Sequence, residues 1–149
     1  MQMNKKNNIA INFRHSAVGE LLWMLPIIKS ISEHHKEKVI LFTRPETKAK
    51  VLLEREKYIK EIIYLPFRKG IYQFQEIIKQ ALILKKKKID FFYILEEIVR
   101  PCIAGKLSGV KHILSYGKKK QRKYLTQSKY LSKNIYNKHE YIRGFEFLK

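Results

Sequence analysis

One cysteine, Cys102, stands among the 149 residues, which excludes an internal disulfide framework and suits a reducing compartment. Acids are scarce as well: 13 Asp plus Glu stand against 32 Lys plus Arg, a net charge of +19. Such an excess points to anionic partners: nucleic acid, a membrane surface, or a phosphorylated or acidic saccharide. The chain is also rich in Ile and Asn, so part of the lysine excess reads as compositional, a solvated face. Long apolar runs are missing. The longest without charge, Leu21 to Ile28, falls far short of the ~20 residues that span a bilayer. The start "MQMNKKNNIAINFR" is basic, but its apolar run is short and Arg14 breaks it, so no export signal is expected. These absences together predict a soluble cytoplasmic domain.

Two phosphate-binding signatures are also missing. No G-x-G-x-x-G and no G-x-x-x-x-G-K-[ST] occurs, so the first turn is not expected to cradle a dinucleotide or a P-loop phosphate. A lone glycine there, Gly19, reads as a tight turn. The histidines His15, His34, His35, His112 and His139 are scattered, and Cys102 has no companion at ligand spacing. No metal site is expected. His34-His35 is placed at a helix end, where cations are favoured, and Cys102 in the core.

What is present is an alternation of strand-like and helical runs. Strands are predicted over Asn8–Phe13, Lys38–Thr43, Glu61–Leu65, Asp90–Leu95 and His112–Tyr116. Helices are predicted over Gly19–His35, Glu46–Glu56, Ile71–Lys86 and Val99–Leu107, with the remainder helical in two pieces. In the third helix Ile71, Phe74, Ile77, Ile78 and Leu82 recur at helical spacing. Continuous apolar strands alternating with helices predict one α/β domain over residues 1–149, a doubly wound and mainly parallel sheet covered on both faces. A chain of this length can bury roughly 70% of its unfolded surface, so the core needs no staple.

In such a sheet ligands sit beyond the carboxyl ends of the strands. That selects Arg14–Glu20, Thr43–Glu46, Pro66–Gly70, Glu96–Arg100 and Tyr116–Lys120. Glu20 falls at the first turn of a helix, where free N–H groups and the macrodipole stabilise any carboxylate. The same position faces the crevice, where a carboxylate could take a proton from a substrate hydroxyl. Ser16 could cap that helix or bond a substrate, and Pro26 should bend it. Arg14, Arg44, Arg68, Lys69, Arg100 and Lys118–Lys120 would form a cationic rim for an anionic ligand. Lys85–Lys88 precedes the fourth strand and belongs to the opposite, solvated end. The segment "YGKKKQRKYL" has the composition of a nucleic-acid patch but lacks the aromatic–basic alternation of a stacking platform.

Taken in order, these residues resemble the N-terminal half of the heptosyltransferase family (glycosyltransferase family nine, lipopolysaccharide core assembly). The family's strand, R-x-S-x-x-G-D and apolar helix with a proline is similar to Arg14-His15-Ser16-Ala17-Val18-Gly19-Glu20 followed by Pro26. Thr43-Arg44-Pro45 resembles the end of its second strand. Ile89 to His112 resembles its fourth strand, D-x-Q-G turn and helix closing in L-S-G-x-K. "KHEYIRGFEFL" is similar to the helix that starts at H-A-V-x-R and ends the first domain.

The resemblance implies a Rossmann-like domain forming one half of a GT-B fold. It implies inverting, metal-independent transfer of a sugar from a nucleotide-sugar donor to a lipopolysaccharide-core-type saccharide. Glu20 matches the catalytic base. Arg14, Ser16, Gly19, Arg68, Lys69 and Arg100 are candidate acceptor contacts. No cofactor is implied; a donor such as ADP-heptose would bind a C-terminal domain that the sequence does not contain. Three features depart from the family: glutamate replaces the aspartate, Ile94-Leu95-Glu96-Glu97 replaces the D-x-Q-G turn, and the chain stops at Lys149. Activity is therefore not expected from this chain alone. Expected partners are an anionic saccharide or lipid-linked acceptor, a donor-domain partner or a second copy, and an anionic membrane at the inner face of the cytoplasmic membrane. A non-catalytic saccharide- or partner-binding module is the alternative, with a basic nucleic-acid-binding domain behind it.

Overall fold

The structure, a computed structural model, describes residues 6–149; the basic start read above for an export signal lies partly in residues 1–5, outside the described residues. Strand β1 (Ile9–Asn12) is buried at all four positions, as a strand covered on both faces must be. β2 (Val39–Thr43) is equally buried, and β3 (Ile59–Tyr64), β4 (Phe91–Ile94) and β5 (His112–Ser115) complete the sheet. The order is β3-β2-β1-β4-β5, and every neighbouring pair is parallel. The order reverses between β1 and β4, which makes their carboxyl ends the topological switch point.

Side-chain alternation along the strands divides the core in two. Ile9, Ile11, Val39 and Leu41 pack with Leu21, Met24, Ile28 and Ile31 of helix α1 (Val18–His35). Ala49 of the short α2 (Ala49–Leu52) and Phe147 of the last helix, α6 (Glu140–Leu148), join the same layer. Ala10, Ile40, Phe42 and Phe92 face the other way. They meet Ile77 and Leu84 of α3 (Tyr72–Lys86) and Cys102 and Ala104 of α4 (Arg100–Ser108). This is the doubly wound Rossmann-like α/β fold. Cys102 is buried, and burial pushes its thiol up to about 12, so it is an inert core side chain.

Three local expectations need correction. The third strand begins at Ile59 rather than Glu61. The helix expected over Glu46–Glu56 is broken: Lys48, at φ 52°, separates a 3-10 turn at Pro45–Thr47 from α2. The tail does hold two helices, but short ones, α5 (Lys133–Tyr136) and α6, after an irregular path with a 3-10 turn at Arg122–Tyr124. Of the five apolar residues at helical spacing in the third helix, only Ile77 is buried. At the L-S-G end of α4, Gly109 at φ 75° closes the helix in the left-handed conformation that glycine adopts without a Cβ penalty.

Candidate functional site

The floor of the crevice is built at the switch point. Asn12, the last residue of β1, donates through Nδ2 to the Glu96 carboxylate beyond β4. Its Oδ1 accepts from Gln80 Nε2 of α3 at 2.7 Å. All three side chains are buried. Burial pushes the Glu96 carboxyl upward, against the pull of Arg14, His15, Arg44 and the Asn12 hydrogen bond.

Three guanidinium groups gather over this floor. Arg14, just after β1, is 2% exposed and forms an ion pair with Glu76 of α3. The second Glu76 oxygen accepts from the Arg68 backbone N–H at 3.0 Å and lies 3.5 Å from Arg100 Nη1. Arg100 also donates to the Arg68 carbonyl at 3.0 Å. Arg44 and Arg100 lie 4.5 and 4.2 Å from the centre of the Phe67 ring, within cation–π range. Burial pulls the Arg100 guanidinium down, with Glu76 opposing. Nε and Nη1 of Arg14 and Nε of Arg44 are buried with no hydrogen-bond partner among the described residues. Orphaned buried donors are costly, which marks the cluster as a candidate anion site.

At the edge of this cluster, His15 bridges two acids. Its Nδ1 lies 3.1 Å from Glu20 Oε2 and its Nε2 2.7 Å from Glu140 Oε1 at the start of α6. The ring stacks on Phe13 with centroids 4.8 Å apart. Burial lowers the imidazole, but the Glu140 hydrogen bond and charge, with Glu20 and Glu96, outweigh it and raise the ring above its ordinary value. His15, Glu20 and Glu140 bring one ligand-type atom each within 4.8 Å of one another. The ring turns a different nitrogen to each acid, however, so the arrangement is that of an imidazolium between two carboxylates rather than three ligands around one ion.

The structure brings some of the candidate residues together and leaves others apart. Arg14 and Arg100 meet through Glu76, with Arg14 beneath the rim rather than on it. Glu20 stands partly exposed at the crevice mouth. Arg68 and Lys69 are exposed in the loop before α3, Arg68 contributing its backbone. Ser16 is exposed and caps nothing; Ala17 is the N-cap. Gly19 lies inside the first turn of α1, and a Cβ there would meet nothing within 4 Å, so no tight turn requires it. His35 lies in the last turn of α1, but its Nε2 is 2.8 Å from the Tyr93 hydroxyl. Burial, with His34 and His112 adding, lowers that ring, so it supplies no cation at the helix end. Glu97 ties Lys118 and Arg143 together, so the two carboxylates of the fourth turn serve the fold. Sequence reasoning missed Asn12, Phe67, Glu76, Gln80 and Glu140. Glu76 carried a signal: it is the only acid in Tyr72–Lys86, among glutamines and lysines. A cavity of about 560 Å³ lies away from this crevice, beside His34, Tyr93, Leu114 and Phe147.

A crevice at the switch point of a parallel sheet, with three arginines gathered over its floor, belongs to a Rossmann-like domain, and its architecture is one half of a GT-B fold. Among solved structures the chain is similar to E. coli ADP-heptose LPS heptosyltransferase II, with TM-score 0.68 and 16% identity over 86% of this chain and 36% of that one. It is similar to a glycosyl transferase family 9 protein from Veillonella parvula, with TM-score 0.74 and 16% identity over 99% of this chain and 42% of that one. Acinetobacter baumannii MurG gives TM-score 0.58 and 12% identity over 78% of this chain and 38% of that one. The chain thus spans 36–42% of the length of the structures it matches. At these identities the likeness establishes a glycosyltransferase-like fold. No protein-family model matches the sequence, and no curated protein matches it. Among the described residues no helix is long and apolar enough to cross a membrane.

Proposed function

We propose that this domain supplies the acceptor side of an inverting, metal-independent glycosyl transfer, holding an anionic saccharide of lipopolysaccharide-core type. The observation that carries the reading is the convergence of Arg14, Arg44 and Arg100 at the switch point, with buried guanidinium N–H groups left unpaired among the described residues. Phosphate or carboxylate oxygens on a sugar would satisfy those donors through charge-assisted hydrogen bonds. Glu20, at the crevice mouth, is the proposed base: its carboxylate takes the proton of the acceptor hydroxyl as that oxygen bonds to the anomeric carbon. The bond from that carbon to the nucleoside diphosphate breaks, and the leaving group keeps the electron pair. The donor, a nucleotide-sugar such as ADP-heptose, is assigned to a second domain, the part of the solved relatives that this chain does not match.

A second reading, a saccharide-binding module without transfer, is favoured by the His15–Glu20 contact of 3.1 Å. With one Glu20 oxygen already facing the His15 ring, the carboxylate has less freedom to take a proton from an acceptor hydroxyl. Both readings share one test. Titrating the protein with a phosphorylated core oligosaccharide should give saturable NMR shifts around Asn12, Arg14 and Arg100. Arg44→Gln should weaken binding at least tenfold, and the dephosphorylated sugar should bind as weakly as that variant does. A titration without saturable shifts at low salt overturns both readings.

A further inference from the structure

The outer face of α3 carries an apolar stripe that the fold leaves bare. Ile71, Phe74, Ile78 and Leu82 are 75%, 70%, 54% and 62% exposed. Their spacing puts them on one side of the helix. The residues that hold α3 to the sheet, Ile77, Ala81 and Leu84, are on the other side and are buried. Large apolar side chains that protrude in a row are uncommon on a free surface and mark a partner.

Charge identifies that partner. Lys79, Lys85 and Lys86 are exposed on the same helix, and Arg68 and Lys69 are exposed at its leading end. The only acid of α3, Glu76, is buried under Arg14 and Arg100. The helix therefore offers water an apolar row edged by cations and no anion. A protein surface would meet such a helix with a matched groove and acids of its own; a lipid surface needs only headgroup anions beside an apolar interior. At 15 residues, α3 is about 22 Å long, short of a bilayer span and suited to lying along the interface.

We propose that α3 is a membrane-docking surface, seated in the headgroup region of an anionic bilayer with Ile71, Phe74, Ile78 and Leu82 inserted and the lysines on lipid phosphates. This stands without the sugar-transfer reading, since it uses no residue of the base or of the arginine cluster. The geometry links the two all the same. The leading end of α3 follows Arg68, whose carbonyl accepts from Arg100, so a docked α3 places the crevice mouth beside the lipid surface. A lipid-anchored ligand would reach the arginines from there.

Vesicle sedimentation tests the proposal. The protein should pellet with vesicles of phosphatidylcholine containing about one-third phosphatidylglycerol and remain in solution with phosphatidylcholine alone. Phe74→Ser with Ile78→Ser keeps the net charge and removes only exposed side chains, so circular dichroism should match wild type while anionic-vesicle binding falls at least tenfold. Lys79→Gln with Lys86→Gln should weaken binding several-fold. Three results overturn the proposal: no binding of wild type to anionic vesicles at low salt, equal binding by the serine variant, or a wild-type dimer that the serine variant abolishes. The last would assign the stripe to a second copy. Oligosaccharide binding by the serine variant in solution reports separately on the crevice, so either proposal can fail without the other.

Discussion

His15 Nε2 and Glu140 Oε1 stand 2.7 Å apart, joining the loop after β1 to the first turn of the last helix. With Glu20 at 3.1 Å from the other ring nitrogen, both nitrogens face acceptors, and only the imidazolium has two donors. The imidazole is raised above 6.5, since the Glu140 hydrogen bond and the charges of Glu140, Glu20 and Glu96 outweigh the lowering by burial. A folded value above the unfolded one fixes the sign. The clamp's stabilisation is fully present below about pH 6.5 and is lost as pH rises through the folded value. NMR titration of the His15 ring should give a midpoint above 6.5, and Glu140→Gln should lower it. A midpoint at or below 6.5 would show the ring standing neutral.

Arg14 and Glu76 make a buried pair, each side chain 3% exposed. Glu76→Gln leaves two guanidinium groups, Arg14 and Arg100, facing one another without their counter-charge. Removing one member of a buried pair typically costs about 3–5 kcal/mol. Arg14→Met with Glu76→Leu, which removes both charges, should lie closer to wild type than Glu76→Gln does. Urea unfolding measures both; a Glu76→Gln loss below about 1 kcal/mol would show the pair to be water-exposed in solution.

The sheet was legible because its strands are continuous apolar runs, a pattern that only burial on both faces produces. The break at Lys48 was not, since a left-handed lysine has no composition signal. The crevice was legible as a place and not as a set of contacts. Topology brings Arg14, Arg44 and Arg100 to one end of the sheet, but Glu76 and Glu140 reach it from helices whose rotation depends on tertiary packing. Gly19 and Ser16 matched a motif by position, and the structure gives neither a contact that requires it.

Glu96 should make the protein less stable as pH rises. Its carboxyl is pushed up by burial more than Arg14, His15, Arg44 and Asn12 pull it down. The folded state therefore holds its proton above the pH at which the unfolded chain, near 4.3, releases it. Stability is greatest below that pH and declines as pH climbs through the folded value. Glu96→Gln keeps an acceptor for Asn12 and abolishes the titration, so its unfolding free energy should lack this slope. Urea midpoints from pH 4.5 to 8 decide the matter, and parallel profiles for wild type and variant would show Glu96 ionised throughout.

Gly144 sets how closely α6 approaches α1. A Cβ there would lie 2.9 Å from Ile27 Cγ1 and 3.2 Å from Met24 Cε, too near for either to stay in place. Alanine would gain about 0.5–1 kcal/mol of helix propensity against an overpacking cost of about 1–3 kcal/mol, so Gly144→Ala should be destabilising by about 1 kcal/mol. Leucine has no room and should lift α6 from α1. That displacement carries Glu140 away from His15 and Arg143 away from Glu97. The Gly144→Leu protein should then show amide exchange throughout Glu140–Leu148 and a His15 midpoint below the wild-type value, while Ile9–Asn12 stays protected. An unchanged His15 midpoint in that variant would mean that α6 is held by its ion pairs rather than by its packing on α1.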